Sequence, residues 1–409
     1  MKKLFRILFV FLIFGIISNA SAINLDIFSK HAVAYNMNDA EIIYEKNADE
    51  ITNIASLTKI MTAIVAIENI ENLDSVVTIP KSIITSIPYY ASVAGFKSGE
   101  KVSYRDLLYG LMLPSGADAA EILAYYVAGS TNEFVNLMNK KAIKLELKNT
   151  NFANTTGLDA EGNYSTVKEI AKLLTYALKN NDFKKIYTTK TYITTTGLKL
   201  EATVLTISKK FDIPIDNILG SKTGSTEKAG LCLSSISTRD NVNLLVVTTN
   251  APYNNSNRTV AIKDANTIYN YFFDNYSYQN ILRKKDLLIE LNTTYATKDN
   301  IAFYAKEDIA KYLPNNTNKN DLVIKYNGIN EISYKTPKGT KLGTYTISKD
   351  NNVIYATDII LNNILIFSIF KFLKANPKIL VLSILIFTVF LILVYLIVKK
   401  RIKKRRRRR

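Results

Sequence analysis

Apolar and polar positions along this chain fall into three regimes. Between residues 56 and 179, apolar side chains recur every three to four residues over 56–69, 104–112, 117–127 and 166–179, which reads as a set of amphipathic or buried helices. Two pairs of short apolar runs flank this set. One pair, 32–37 and 41–44, is joined through Asn38-Asp39, and the other, 231–237 and 243–249, through Arg239-Asp240-Asn241. Strands, then helices, then strands again predict an α+β domain whose single antiparallel sheet draws its first and last strands from opposite ends of the segment.

From 287 to 361 the period drops to two. Short alternating runs at 287–291, 322–326, 342–347 and 353–356 sit between Asn, Gly and Pro clusters, as in a small all-β domain. The third regime is uninterrupted. Residues 379–398 are 20 uncharged, almost wholly apolar positions, long enough as a helix to cross about 30 Å of hydrocarbon. A shorter apolar run, 7–17, follows Lys2, Lys3 and Arg6 and precedes Ala20-Ser21-Ala22, the pattern of a secretory signal cleaved after Ala22. The expected organisation is a signal at 1–22, a catalytic domain at 23–275, a β-rich domain at 276–361, a juxtamembrane segment at 362–378, a transmembrane helix at 379–398 and a basic tail at 399–409. Residues 362–377 have the composition of a membrane-surface helix.

Charge changes this picture in one respect. The formal net charge is +18, but ten cations lie in 399–409 and three in the signal, and +5 remains without them. A nucleic-acid partner is therefore not implied. A basic tail beyond a transmembrane helix stays in the cytoplasm and faces anionic lipid headgroups, which puts everything before residue 379 outside.

The chain has one cysteine, Cys232, and one histidine, His31, so no intramolecular disulfide and no His/Cys zinc cluster can form. Cys232 reads as a small buried side chain on a strand. His31 reads as a surface residue opening the first strand.

Candidate chemistry begins at Ser56-Leu57-Thr58-Lys59, at the start of a nearly all-apolar helix. A spacing of three places both side chains on one helical face. A buried Lys near other cations loses its proton near neutral pH and can activate the serine. The pattern alone is weak, since Ser-x-x-Lys also starts at Ser98, Ser165, Ser225 and Ser368. Its company is specific. Ser115-Gly116-Ala117 falls in a turn between two helices, and Lys222-Thr223-Gly224 occurs once, on a strand. In this order the three elements resemble the signature of the penicillin-binding and β-lactamase serine hydrolases.

The wording around them, Ile54 to Ala63, Gly157-Leu158-Asp159 with Tyr164-Ser165-Thr166, and Lys222 to Gly230, resembles the D-alanyl-D-alanine carboxypeptidases, the low-molecular-mass penicillin-binding proteins of peptidase family S11. Pro337 to Gly343 resembles part of that family's accessory domain, and a C-terminal membrane anchor is also a family habit.

The resemblance implies a serine hydrolase that trims the terminal D-alanine of peptidoglycan stem pentapeptides and is acylated by β-lactams, without a cofactor. It implies Ser56 as nucleophile, Lys59 as base and Ser115 as proton relay to the departing D-alanine. Lys222, Thr223, Gly224 and Ser225 would receive the substrate, with the oxyanion between the N–H groups of Ser56 and Ser225, and with Arg258 as a further carboxylate candidate. One position departs from the family. Ala117 stands where an Asn is usual, so a polar contact to substrate, Ser115 and Lys59 is missing. Two other readings stay beside this one: a catalytically attenuated wall-binding protein, and a β-lactamase. The latter calls for a Glu followed four residues later by Asn between Ser115 and Lys222, and the sequence has none there.

Overall fold

The computed structural model describes residues 23–253 and 258–406. The signal reading at 1–22 lies outside the described residues. Two compact units emerge among the described residues, one ending at Tyr276 and the other beginning at Ser277.

The first unit is organised around an antiparallel five-stranded sheet. Its strands are β1 (His31–Asn36), β2 (Glu41–Lys46), β3 (Gly220–Thr226), β4 (Gly230–Arg239) and β5 (Val242–Ala251), in the order β2-β1-β5-β4-β3. β1 pairs with β5 in a register that sets His31 opposite Thr249, so the two ends of the segment meet at the centre of the sheet, as the pattern predicts. His31 does open β1, but it is only 7% exposed, which corrects the surface reading. Its ring packs on the strand pair, with Nδ1 3.1 Å from Thr249 Oγ1 and Nε2 3.3 Å from Glu50. Cys232 is buried on β4, as expected.

Between the strand pairs lie α1 (Lys59–Asn69), α2 (Tyr104–Met112), α3 (Ala117–Ala128) and α4 (Val167–Ala177), and α5 (Val260–Asn275) follows β5. α1 is buried at every position from Lys59 to Ile67, which explains why its sequence is apolar on all sides rather than striped. Burying side chains such as Ile60, Met61 and Ile64 contributes roughly 1.5–3 kcal/mol each. α2 starts at a capping box. The Ser103 hydroxyl accepts from Asp106 N at 3.0 Å, and the Asp106 carboxylate accepts from Ser103 N at 3.1 Å.

The second unit is β-rich. One of its sheets aligns β6 (Leu322–Gly328), β7 (Lys341–Lys349) and β8 (Asn352–Ile360) antiparallel, and Leu342, Tyr345 and Ile347 of β7 join Leu291, Ile332 and Leu361 in its core. The juxtamembrane helix is shorter than expected: only Ile369–Ala375 is helical, because Phe367 is held in a bridge to Ala296. It leads into α6 (Pro377–Arg406), the one helix among the described residues long and apolar enough to cross a membrane. Its apolar side chains are exposed along its length.

Candidate active site

Ser56 and Lys59 meet at a break in helical geometry. The chain enters α1 through a tight 3₁₀ turn, Ala55–Thr58, with Ala55 in the left-handed region at φ 45°. Ser56 lies inside this turn rather than at its cap. Lys59 Nζ donates to Ser56 Oγ at 3.3 Å and to the Thr156 carbonyl at 2.5 Å, and its side chain is buried.

The partner carbonyl is presented by a turn built on Asn154. The Asn154 side-chain oxygen accepts from Thr156 N at 3.1 Å, Gly157 N at 2.6 Å and Thr156 Oγ1 at 3.2 Å. Thr62 Oγ1 donates to the Thr155 carbonyl at 2.7 Å, and Thr155 Oγ1 to the Glu121 carboxylate at 2.5 Å. Gly157, at φ 77°, closes the turn directly on the nucleophile's segment. A Cβ there would lie 2.0 Å from the Ala55 carbonyl oxygen. Gly224 makes the matching approach from β3, where a Cβ would lie 3.0 Å from both Ala55 Cβ and Ser56 N. The absence of a side chain at these two positions is what lets the turn and the strand pinch Ser56 between them.

Ser115 sits in the turn between α2 and α3 with φ 65°, an uncommon conformation for a residue with a side chain. Its hydroxyl is buried and has no hydrogen-bond partner within the protein. Leaving a buried hydroxyl unmatched costs about 1–3 kcal/mol, a burden functional sites commonly carry. The neighbouring Asp118, in the first turn of α3, pins a loop, its carboxylate accepting from Ala94 N (2.8 Å), Gly95 N (2.9 Å) and Phe96 N (3.2 Å). It therefore acts as a helix-start residue and makes no bond to Lys59.

On β3 the alternation of the strand separates two roles. Lys222 is only 1% exposed, with Nζ donating to the Thr223 carbonyl at 2.9 Å, whereas Thr223 and Ser225 open onto a cleft of about 100 Å³. Ser56, Ser115 and Arg258 also line that cleft.

Burial drives the electrostatics. Lys59 is fully desolvated, and its pKa falls to about 7 even though the carboxylates of Asp118 and Glu121 pull it upward. Lys222 lies well below the usual lysine range, first because of burial and then because of repulsion by Lys59. Burial thus leaves Lys59 neutralisable beside the Ser56 hydroxyl, and a charge on Lys59 opposes protonation of the second buried lysine, Lys222.

The structure brings Ser56, Lys59, Ser115, Lys222, Thr223, Gly224 and Ser225 to one place. Sequence reasoning missed Thr156, Asn154 and Glu121. Thr156 acts through a backbone carbonyl that any residue would supply, so nothing in its identity marks it. Only the adjacent Gly157 carried a signal.

A serine hydroxyl bonded to a neutralisable lysine, at the cleft between a sheet edge and a helical layer, is the arrangement of a serine hydrolase of the acyl-enzyme type. The D-alanyl-D-alanine carboxypeptidase profile of peptidase S11 matches residues 18–253, and the C-terminal domain profile of penicillin-binding protein 5 matches 276–364. The chain belongs to the peptidase S11 family. It is 28% identical to D-alanyl-D-alanine carboxypeptidase DacF of Bacillus subtilis over 80% of this chain and 83% of that protein. It is 35% identical to a Streptomyces K15 D-alanyl-D-alanine carboxypeptidase over 59% of this chain and 85% of that one. Among solved structures, penicillin-binding protein 5 of Haemophilus influenzae matches with a TM-score of 0.65 at 25% identity, covering 84% of this chain and 99% of that one.

Proposed function

We propose that this chain removes the terminal D-alanine from peptidoglycan stem pentapeptides. The observation that carries this reading is Lys59, held near pKa 7 with its Nζ 3.3 Å from Ser56 Oγ beside the cleft.

In its neutral form Lys59 takes the hydroxyl proton as Ser56 Oγ attacks the carbonyl of the penultimate D-alanine. The oxyanion sits between the N–H groups of Ser56 and Ser225, a placement supported by the approach of the Gly224 backbone to Ser56 N. The C–N bond then breaks, and the leaving amine receives a proton through Ser115, whose unmatched buried hydroxyl suits a relay. Water, deprotonated by Lys59, hydrolyses the ester and frees Ser56. Thr223, Ser225 and Arg258 face the cleft where the substrate carboxylate would lie, and an anion bound there would favour the protonated form of the buried Lys222. A β-lactam would enter by the same attack, its ring opening to a stable ester on Ser56.

At Lys59 the Thr156 carbonyl supplies an acceptor in place of the amide missing at Ala117, whereas the Ser115 hydroxyl has none. The same reading places the first unit outside the membrane, with α6 spanning the bilayer and the basic end meeting cytoplasmic lipid headgroups.

Incubating the protein with a D-Ala-D-Ala pentapeptide and, separately, with benzylpenicillin should give loss of one alanine and a covalent penicilloyl adduct by mass spectrometry. Ser56→Ala should give neither. Full D-alanine release by that variant would remove the assigned nucleophile and the mechanism with it.

A further inference from the structure

Between residues 86 and 96 the chain exposes two adjacent aromatic rings that the chemistry above leaves unused. Tyr89 is 99% exposed and Tyr90 69% exposed, and their rings meet edge to face with centroids 5.4 Å apart and an interplanar angle of 85°. Two large rings held this far into water gain almost nothing from burial, so their placement calls for a partner.

The loop that carries them is fixed to the catalytic wall. Ala91 N donates to the Pro88 carbonyl at 2.9 Å, Ala117 N to the Ser92 carbonyl at 2.7 Å, and the Asp118 carboxylate holds the three N–H groups from Ala94 to Phe96. Ser92 itself lines the cleft beside Ser56 and Ser115. Tyr90 is two residues from Ser92, so its Cα lies within roughly 7 Å of that wall.

We propose that the Tyr89–Tyr90 corner is a specificity site of the carboxypeptidase reaction, receiving the side chain of the residue that precedes the acyl-donor D-alanine, and that it selects a long aliphatic stem ending in an ammonium group. This rests on the function proposed above. One residue of extended peptide spans roughly 3.5 Å, so that side chain leaves the cleft within reach of the corner, whereas the glycan end of the stem peptide is several residues farther away. Two rings at right angles present an apolar recess for a methylene stem and an electron-rich face for a cation. Benzylpenicillin has no residue in that position and should not sense the corner.

The test compares the full-length protein with Tyr89→Ala/Tyr90→Ala in detergent. It uses two glycan-free pentapeptides that differ only in lysine or Nε-acetyl-lysine at the third position, plus benzylpenicillin. The double variant should lose about tenfold in kcat/KM on the lysine peptide, a loss of the size a cation–π contact supports, and much less on the acetylated one. Acylation by benzylpenicillin should be unchanged, and Tyr89→Phe/Tyr90→Phe should behave as wild type. Equal losses on the two peptides overturn the proposal, and so does no loss on either, the outcome expected of a corner that binds sugar. Should the double variant also lose penicillin acylation, Tyr89→Ala, at a side chain with essentially no burial, decides by the same comparison. Wild-type protein that released no D-alanine from either peptide would instead sink the underlying carboxypeptidase reading.

Discussion

Lys59 must be buried enough to be neutral near pH 7 yet remain bonded to the group it serves. Its two acceptors, Ser56 Oγ and the Thr156 carbonyl, achieve this without the usual amide at position 117. Two consequences follow for pH. Acylation needs the free amine, so the rate constant for reaction with a chromogenic penicillin should rise with pH through about 7 and fall to roughly a tenth of its plateau at pH 6. A flat profile from pH 5.5 to 8.5 would exclude Lys59 as the titrating base. For stability the sign runs the same way. The folded pKa lies below that of a lysine in the unfolded chain, so the penalty of burying the ammonium is fully present below pH 7 and is relieved as pH rises toward about 10.4. Lys59→Met should therefore raise Tm at pH 6, and its advantage over wild type should shrink at pH 9.5. Calorimetry at the two pH values checks this.

The turn from Asn154 to Gly157 shows what a short element does for its neighbours. It is stitched to α1 by Thr62, to α3 by Glu121, and to the nucleophile's segment by direct backbone contact. Gly157→Ala would force a Cβ into the Ala55 carbonyl at a left-handed φ, and should destabilise the protein by roughly 2–4 kcal/mol while slowing penicillin acylation well beyond what partial unfolding explains. A folded variant with wild-type acylation would show that the turn does not position Ser56. This element also marks where reading the sequence stops. α1, α2, α3 and the strand pairs were legible because their periodicity reports one buried face or complete burial. The meeting of Ser56, Lys59 and Lys222 was legible because Ser-x-x-Lys and Lys-Thr-Gly carry polar side chains at a fixed spacing, and the structure brings them together. The carbonyl that holds Lys59 belongs to the main chain, and the corner made by Tyr89 and Tyr90 depends on an exposure that sequence does not report. His31 misled because a histidine at a strand's first position gives no hint that the strand lies inside the sheet.

At the scale of the whole molecule, α6 is the one helix among the described residues long and apolar enough to cross a membrane. Residues 23–376 without α6 should be soluble without detergent and keep the penicillin acylation rate of the full chain, since the strongly apolar segments lie beyond those bounds. Size-exclusion chromatography with a labelled penicillin tests both, and a folded but inactive product would mean that activity depends on α6. A different consequence concerns time. β1 can join the sheet only against β5, some 218 residues farther along, and Ser56 is clamped only once Gly157 and Gly224 have arrived. Contacts of such long sequence separation make for slow folding. On the export route that the proposed topology implies, the segment bearing Ser56 would emerge long before its clamps. The nascent protein should then be inert toward D-Ala-D-Ala peptides until nearly all of its first 250 residues have been delivered.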